Sequence, residues 1–131
     1  MMGTRTITVS IRGFDQSPKA LVAKIGVEPT LMIEKGESRR PGLPPLKKSV
    51  ISFKTVVSEN VLWDKVIDEA LDRLGGVPNL EKILEEFSPE FIHVDIALPI
   101  RTSEEQEDGY VSSYVMEKLC KIKASLGFSF V

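Results

Sequence analysis

One cysteine and one histidine are all that this chain offers of the two side chains that most often hold transition metals. With Cys120 alone no internal disulfide can form, and Cys120 with His93 falls short of the ligand sets that structural zinc needs. No cofactor or metal is expected, and a reducing, cytoplasmic setting follows from the cysteine usage. Long hydrophobic runs are missing as well. Nothing approaches the ~18 consecutive apolar residues of a membrane helix, and Met1 to Thr6 lacks the apolar core of a signal peptide. Charge of one sign is not in excess either: 17 Lys and Arg stand against 19 Asp and Glu, for a net charge of -2. That balance argues against a nucleic-acid partner, whose binding depends on clustered cations that neutralise many phosphates. A membrane partner is not expected.

What is present is the composition of an ordinary globule. At 131 residues, 42% hydrophobic and 27% charged, the chain is sized for one domain over residues 1–131. Its charges are unevenly placed. Lys35, Arg39, Arg40, Lys47 and Lys48 gather in one loop, and Glu104, Glu105, Glu107 and Asp108 in another.

Periodicity supplies the elements. Ile7, Val9 and Ile11 alternate with Thr6, Thr8, Ser10 and Arg12, which predicts a strand over residues 5–13. Ser17-Pro18 is an N-cap followed by proline at the first helical position, Leu21 and Ile25 form the apolar stripe, and Gly26 is the left-handed stop. Val27 and Leu31 to Ile33 predict a short strand, residues 35–48 a proline-rich loop, and Val50 to Val57 a third strand. Leu62, Val66, Ala70 and Leu74 recur at helical spacing over about residues 60–74, with Gly75-Gly76 as the terminator. A short helix restarts at Pro78-Asn79 and closes before Pro89. Ile92, Val94, Ile96 and Leu98 alternate with His93, Asp95 and Ala97 as the clearest half-buried strand. An acidic loop at 101–110 precedes a fourth helix, which starts at Ser112/Ser113, turns Val115, Leu119, Ile122 and Leu126 inward and stops at Gly127. Phe128 to Val131 then forms a terminal strand. On this reading residues 91–131 echo residues 7–33 in element order, with Gly127 in the place of Gly26.

The expected fold is therefore α+β, in the order β-α-β-β-α-α-β-α-β. It is a ferredoxin-like α/β sandwich whose mixed or antiparallel sheet of four to five strands carries its helices on one face.

Several stretches together resemble a known family. They are the first strand ending in Arg12-Gly13-Phe14, then Ser17-Pro18, then Gly26-Val27-Glu28-Pro29-Thr30, and Lys35-Gly36-Glu37 with Arg39-Arg40. With the closing segment Leu119 to Phe130, the chain resembles the bacterial domain-of-unknown-function family 4279. The segment from Gly26 to Arg40 is the specific part. Family members often place a tryptophan on the strand after the basic loop. Phe53 stands there in this chain, which keeps the packing role and removes the indole N–H. The resemblance implies a small bacterial α+β domain, in a group of which some members look like immunity proteins encoded beside secreted toxins.

Candidate chemistry is sparse. Gly26 to Thr30 is explained by backbone needs: a positive φ at the helix end, then a proline that keeps Glu28 extended. Lys35 to Arg40 is not a phosphate-binding loop, because the glycine spacing and the following helix are absent. Its three cations exceed what a turn requires, and arginine forks suit carboxylates or other anions. His93 and Asp95 share a strand face at ~7 Å spacing, too far apart for a direct bond, with no serine or cysteine evidently placed for activation. Cys120, beside Leu119 on a helix, reads as a packed and inert thiol. The acidic loop lacks the ligand pattern of a calcium site.

The polar strand faces carry more weight collectively: Thr6, Thr8, Ser10, Arg12, Ser52, Lys54, His93, Asp95 and Ser129 make up one side of the sheet. The expected function is a non-enzymatic protein-binding domain, with toxin immunity as one form of it. Arg12, Arg39, Arg40, Lys54, His93 and Asp95 are the expected contacts, and the partner is another protein or a homodimer mate. The alternative is a small-molecule-binding regulatory domain.

Overall fold

The computed structural model describes residues 5–57, 62–98 and 111–130. Its elements are β1 (Arg5–Phe14), α1 (Pro18–Ile25), β2 (Leu31–Ile33), β3 (Ser49–Val57), α2 (Trp63–Arg73), α3 (Gly76–Phe87), β4 (Phe91–Leu98), α4 (Ser113–Lys121) and β5 (Ala124–Phe130). The strands form one mixed five-stranded sheet in the order β2-β3-β1-β4-β5. All neighbours are antiparallel except β4 and β5, which run parallel. β1 and β2 therefore run the same way with β3 between them, and β3 and β4 the same way with β1 between them. This is an α+β sandwich of the expected element order.

Alternation in the strands decides which face is packed. Ile7, Val9 and Ile11 of β1, Ile51 and Phe53 of β3, and Ile92, Val94 and Ile96 of β4 lie at paired register positions and are buried together. Leu21 and Ile25 of α1, Val66, Ile67 and Leu71 of α2, Leu80, Ile83 and Phe87 of α3, and Val115 and Leu119 of α4 pack into the same cluster. All four helices thus cover one side. At ~25 cal/mol per Å² of apolar area, each fully buried Leu, Ile or Phe contributes roughly 1.5–3 kcal/mol against chain entropy.

Helix ends follow the local signals. The Ser17 side chain accepts from Lys19 N at 3.3 Å, and Gly26 closes α1 at φ 77 with its N–H donated to Val22 O. The Ser112 side chain caps α4 by accepting from Val115 N at 3.3 Å. α3 begins at Gly76, two residues before the expected Pro78 restart. The Asn79 amide donates to Leu74 O at 2.9 Å, and this bond ties the start of α3 to the end of α2.

The end of the chain corrects the expected pattern. α4 stops at Lys121, Lys123 takes φ 54, and β5 begins at Ala124. Leu126 therefore lies on a strand and not on the helix, and Gly127 is mid-strand and not a helix terminator. Positions 115, 119, 122 and 126 do repeat at helical spacing, but Ala124-Ser125-Leu126-Gly127-Phe128-Ser129 also alternates with period two. Parallel pairing with β4, from Ile92↔Ala124 to Leu98↔Phe130, satisfies that second pattern. The echo of Gly26 by Gly127 falls with it. Cys120 is exposed and not packed as expected. The acidic loop expected at 101–110 lies outside the described residues.

Candidate functional site

The helix-free face of the sheet gathers four of the six expected contact residues. Odd-numbered β1 residues turn toward the helices, so Thr8, Ser10 and Arg12 turn away, and antiparallel register sets even-numbered β3 residues and odd-numbered β4 residues beside them. One row across the sheet runs Leu31–Ser52–Ser10–His93–Ser125. The next runs Lys54–Thr8–Asp95–Gly127. A depression of about 370 Å³ lies over these rows. It is lined by Thr8, Ser10, Arg12, Thr30, Leu31, Ser52, Lys54, His93 and Asp95.

Its floor is a hydroxyl pair. Ser10 and Ser52 are both buried, and their Oγ atoms lie 2.9 Å apart. A buried hydroxyl without a partner costs about 1–3 kcal/mol, so each serine makes the other tolerable. Thr30 extends the edge of β2: its N–H donates to Ser52 O at 2.8 Å, and its Oγ1 accepts from Lys54 N at 2.9 Å.

The two cations of the depression are free. The guanidinium of half-buried Arg12 and the ammonium of exposed Lys54 make no hydrogen bond or ion pair among the described residues. They sit four residues apart along the strand direction, a Cα offset of ~13 Å, so their positive charges bracket the depression rather than crowd one point.

His93 and Asp95 are each bonded to β5, not to each other. His93 Nδ1 lies 2.7 Å from Ser125 Oγ, and Ser129 Oγ donates to Asp95 Oδ2 at 3.0 Å. His93 Nε2 and Asp95 Oδ1 stand 4.0 Å apart, close enough for attraction and too far for a hydrogen bond. Gly127 makes room for this layout, since a Cβ there would come within 3.0 Å of two atoms of the imidazole ring. The sequence did not place Ser125 beside His93, and the parallel pairing of β4 with β5 does. A serine relay also needs a carboxylate bonded to the far imidazole nitrogen. Asp95 holds Ser129 instead.

Arg39 and Arg40 do not reach the depression. They project from residues 34–48, a loop braced by Gly36 N to Leu46 O at 2.9 Å, Leu46 N to Glu37 O at 2.8 Å and Ser38 Oγ to Leu43 O at 2.9 Å. The loop leaves β2 at Ile33, which pairs with Val50, and Val50 pairs with Arg12. The exposed arginines therefore stand at the Arg12 end of the sheet. Two cations of the loop are engaged elsewhere: Lys35 and Lys48 each lie 3.1 Å from the Asp15 carboxylate. Hydrogen bonding by Lys35, and then by Lys48, holds the Asp15 carboxyl below its ordinary pKa. Arg39 and Arg40 make no such pairs among the described residues.

Sequence reasoning missed Thr30, Leu31, Ser125 and Gly127. The signal for the last two was the period-two alternation of residues 124–129. No group of three or more His, Cys, Asp or Glu able to hold a metal occurs among the described residues, and no described helix is long and apolar enough to cross a membrane. No protein-family model matches the chain, and no curated protein or solved structure matches it with significance.

Proposed function

We propose that this chain is a non-enzymatic, cytoplasmic binding domain that offers the helix-free face of its sheet to an acidic surface on another protein. One observation carries the reading: Arg12 and Lys54 lack ionic partners among the described residues and flank the depression on the uncovered face, and Arg39 and Arg40, likewise unpaired among those residues, stand at the Arg12 end of the sheet. Unpaired arginines beside an open sheet suit carboxylates, which they bind bidentately. Val56, Leu31 and Phe91 on that face are 66%, 38% and 44% exposed, and they add apolar contact around the polar rows. The resemblance of Gly26 to Arg40 to family 4279 extends the proposal to membership of that family and to neutralisation of a toxin. Co-expression with a toxin encoded beside the gene tests it. Growth rescue and a purified complex are expected, with Arg12→Glu and Arg39→Glu each weakening the complex about tenfold, or ~1.4 kcal/mol. Absence of both rescue and complex refutes the reading.

The depression favours a second reading. Its volume lies near the lower end of small-ligand sites, and Arg12 and Lys54 at its two sides suit a small carboxylate or phosphate compound. A thermal-shift panel of phosphorylated and dicarboxylic compounds tests this. A shift that Arg12→Ala abolishes is expected, and no shift at millimolar concentration refutes it.

A further inference from the structure

The two edges of the sheet are built differently. β2 spans three residues, with Glu28 and Pro29 shortly before it and Glu34 and Lys35 directly after. Short length, proline and flanking charge are the devices by which an edge avoids pairing with another chain. β5 is more than twice as long and has no proline, and Lys123 before it is its one flanking charge among the described residues. It runs seven residues, Ala124–Phe130, with no charge within it. Among the described residues its only strand neighbour is β4. Phe128 is 55% exposed on the helix side of this edge.

We propose that β5 pairs antiparallel with β5 of a second copy of this chain, about a twofold axis at Gly127. The sequence of β5 is self-complementary in that register. Gly127 is its central residue, so Ser125 meets the second copy's Ser129 on the open face, and Leu126 meets the second copy's Phe128 on the helix side. Each pairing occurs twice, as an isologous interface requires. Facing residues in an antiparallel pair share a face, so polar remains with polar and apolar with apolar. Phe128 then loses its solvent exposure against an aliphatic neighbour. Seven residues paired in this way add roughly six to eight backbone hydrogen bonds, since alternate pairs exchange two each. The product is a continuous ten-stranded sheet with all helices on one side and both helix-free faces on the other. This inference rests on the edge and not on the cations of the open face, so it stands or falls separately from the proposed function.

Sedimentation equilibrium on the full chain, with amide exchange by mass spectrometry, is the test. A dimer is expected, with protection of the β5 amides that falls on dilution. Phe128→Lys, a change at an exposed position, shifts the chain to monomer and removes that protection. Phe91→Lys, on the open face, leaves the dimer intact. A chain that is monomeric at every concentration overturns the proposal, as does β5 protection that is insensitive to dilution. So does a dimer that survives Phe128→Lys, or one that Phe91→Lys dissociates instead.

Discussion

Gly13 and Gly26 both have positive φ, at 82 and 77, but their surroundings differ, and alanine at each separates two costs. Gly13 sits where the β1–β3 register shifts between Arg12 and Phe14. A Cβ there would come 2.5 Å from Glu90 Cβ and 2.5 Å from its Cγ, about 1 Å inside an ordinary contact. A new rotamer moves Cγ away but leaves Cβ, so the backbone must shift, and the Glu90 N to Gly13 O bond of 3.1 Å shifts with it. At Gly26 a Cβ meets nothing within 4 Å. Gly26→Ala therefore carries only the left-handed backbone cost of about 1–2 kcal/mol. Gly13→Ala adds an overpacking cost of about 1–3 kcal/mol. Any entropy gain in the unfolded chain is common to both. The difference corresponds to roughly 4–12 °C in Tm for a chain of this size. Urea unfolding followed by Trp63, the single tryptophan and 6% exposed, measures both variants. In a Glu90→Gly background, which lacks the obstructing atoms, Gly13→Ala should cost no more than Gly26→Ala. Equal costs for the two variants in the parent chain refute the steric argument.

Further predictions concern the core and the acid limb of stability. Phe87 is 4% exposed and meets Phe14 edge-to-face at 6.0 Å, so Phe87→Ala should lower stability by about 3–5 kcal/mol in the same urea assay. Asp15 has a folded pKa below its usual 3.8, so its contribution is full above that value and is lost as pH falls through the folded pKa. Asp15→Asn should flatten the stability profile below about pH 4, as followed by thermal unfolding across pH. Lys118 is shifted the other way. Its hydrogen bond to Asp68 is the main cause of a raised pKa, so its contribution is complete below the ordinary lysine value and is lost only in strong alkali. Lys118→Met should remove that alkaline loss in thermal unfolding at high pH.

Much of the fold was legible because its signals are local. The alternation of Ile7, Val9 and Ile11, the Ser17 cap and the Gly26 stop act within a few residues, and the structure carries each of them. Residues 122–127 were misread as helix because two periods coexist there, and only pairing with β4 selects the strand. The candidate site divides in the same way. Period two alone placed Arg12, Lys54, His93 and Asp95 on the polar side of their strands, and the sheet then set them around one depression. Lys35 and Lys48 looked equivalent to Arg39 and Arg40 in the sequence, yet Asp15 takes the two lysines and leaves the arginines without an ionic partner among the described residues.

By itself the sequence determined element order, the packed and polar faces of the central strands, and the helix boundaries that side-chain caps and glycine enforce. These depend on φ, ψ and periodicity over single turns or strands. The tertiary structure alone decided partners. Ser10 and Ser52 are separated by 42 positions in the chain, and His93 and Ser125 by 32. Strand register brings such residues together, and register is a property of the whole sheet. The same holds for β5, whose uncharged residues became the outer edge among the described strands only once the sheet had placed them beyond β4.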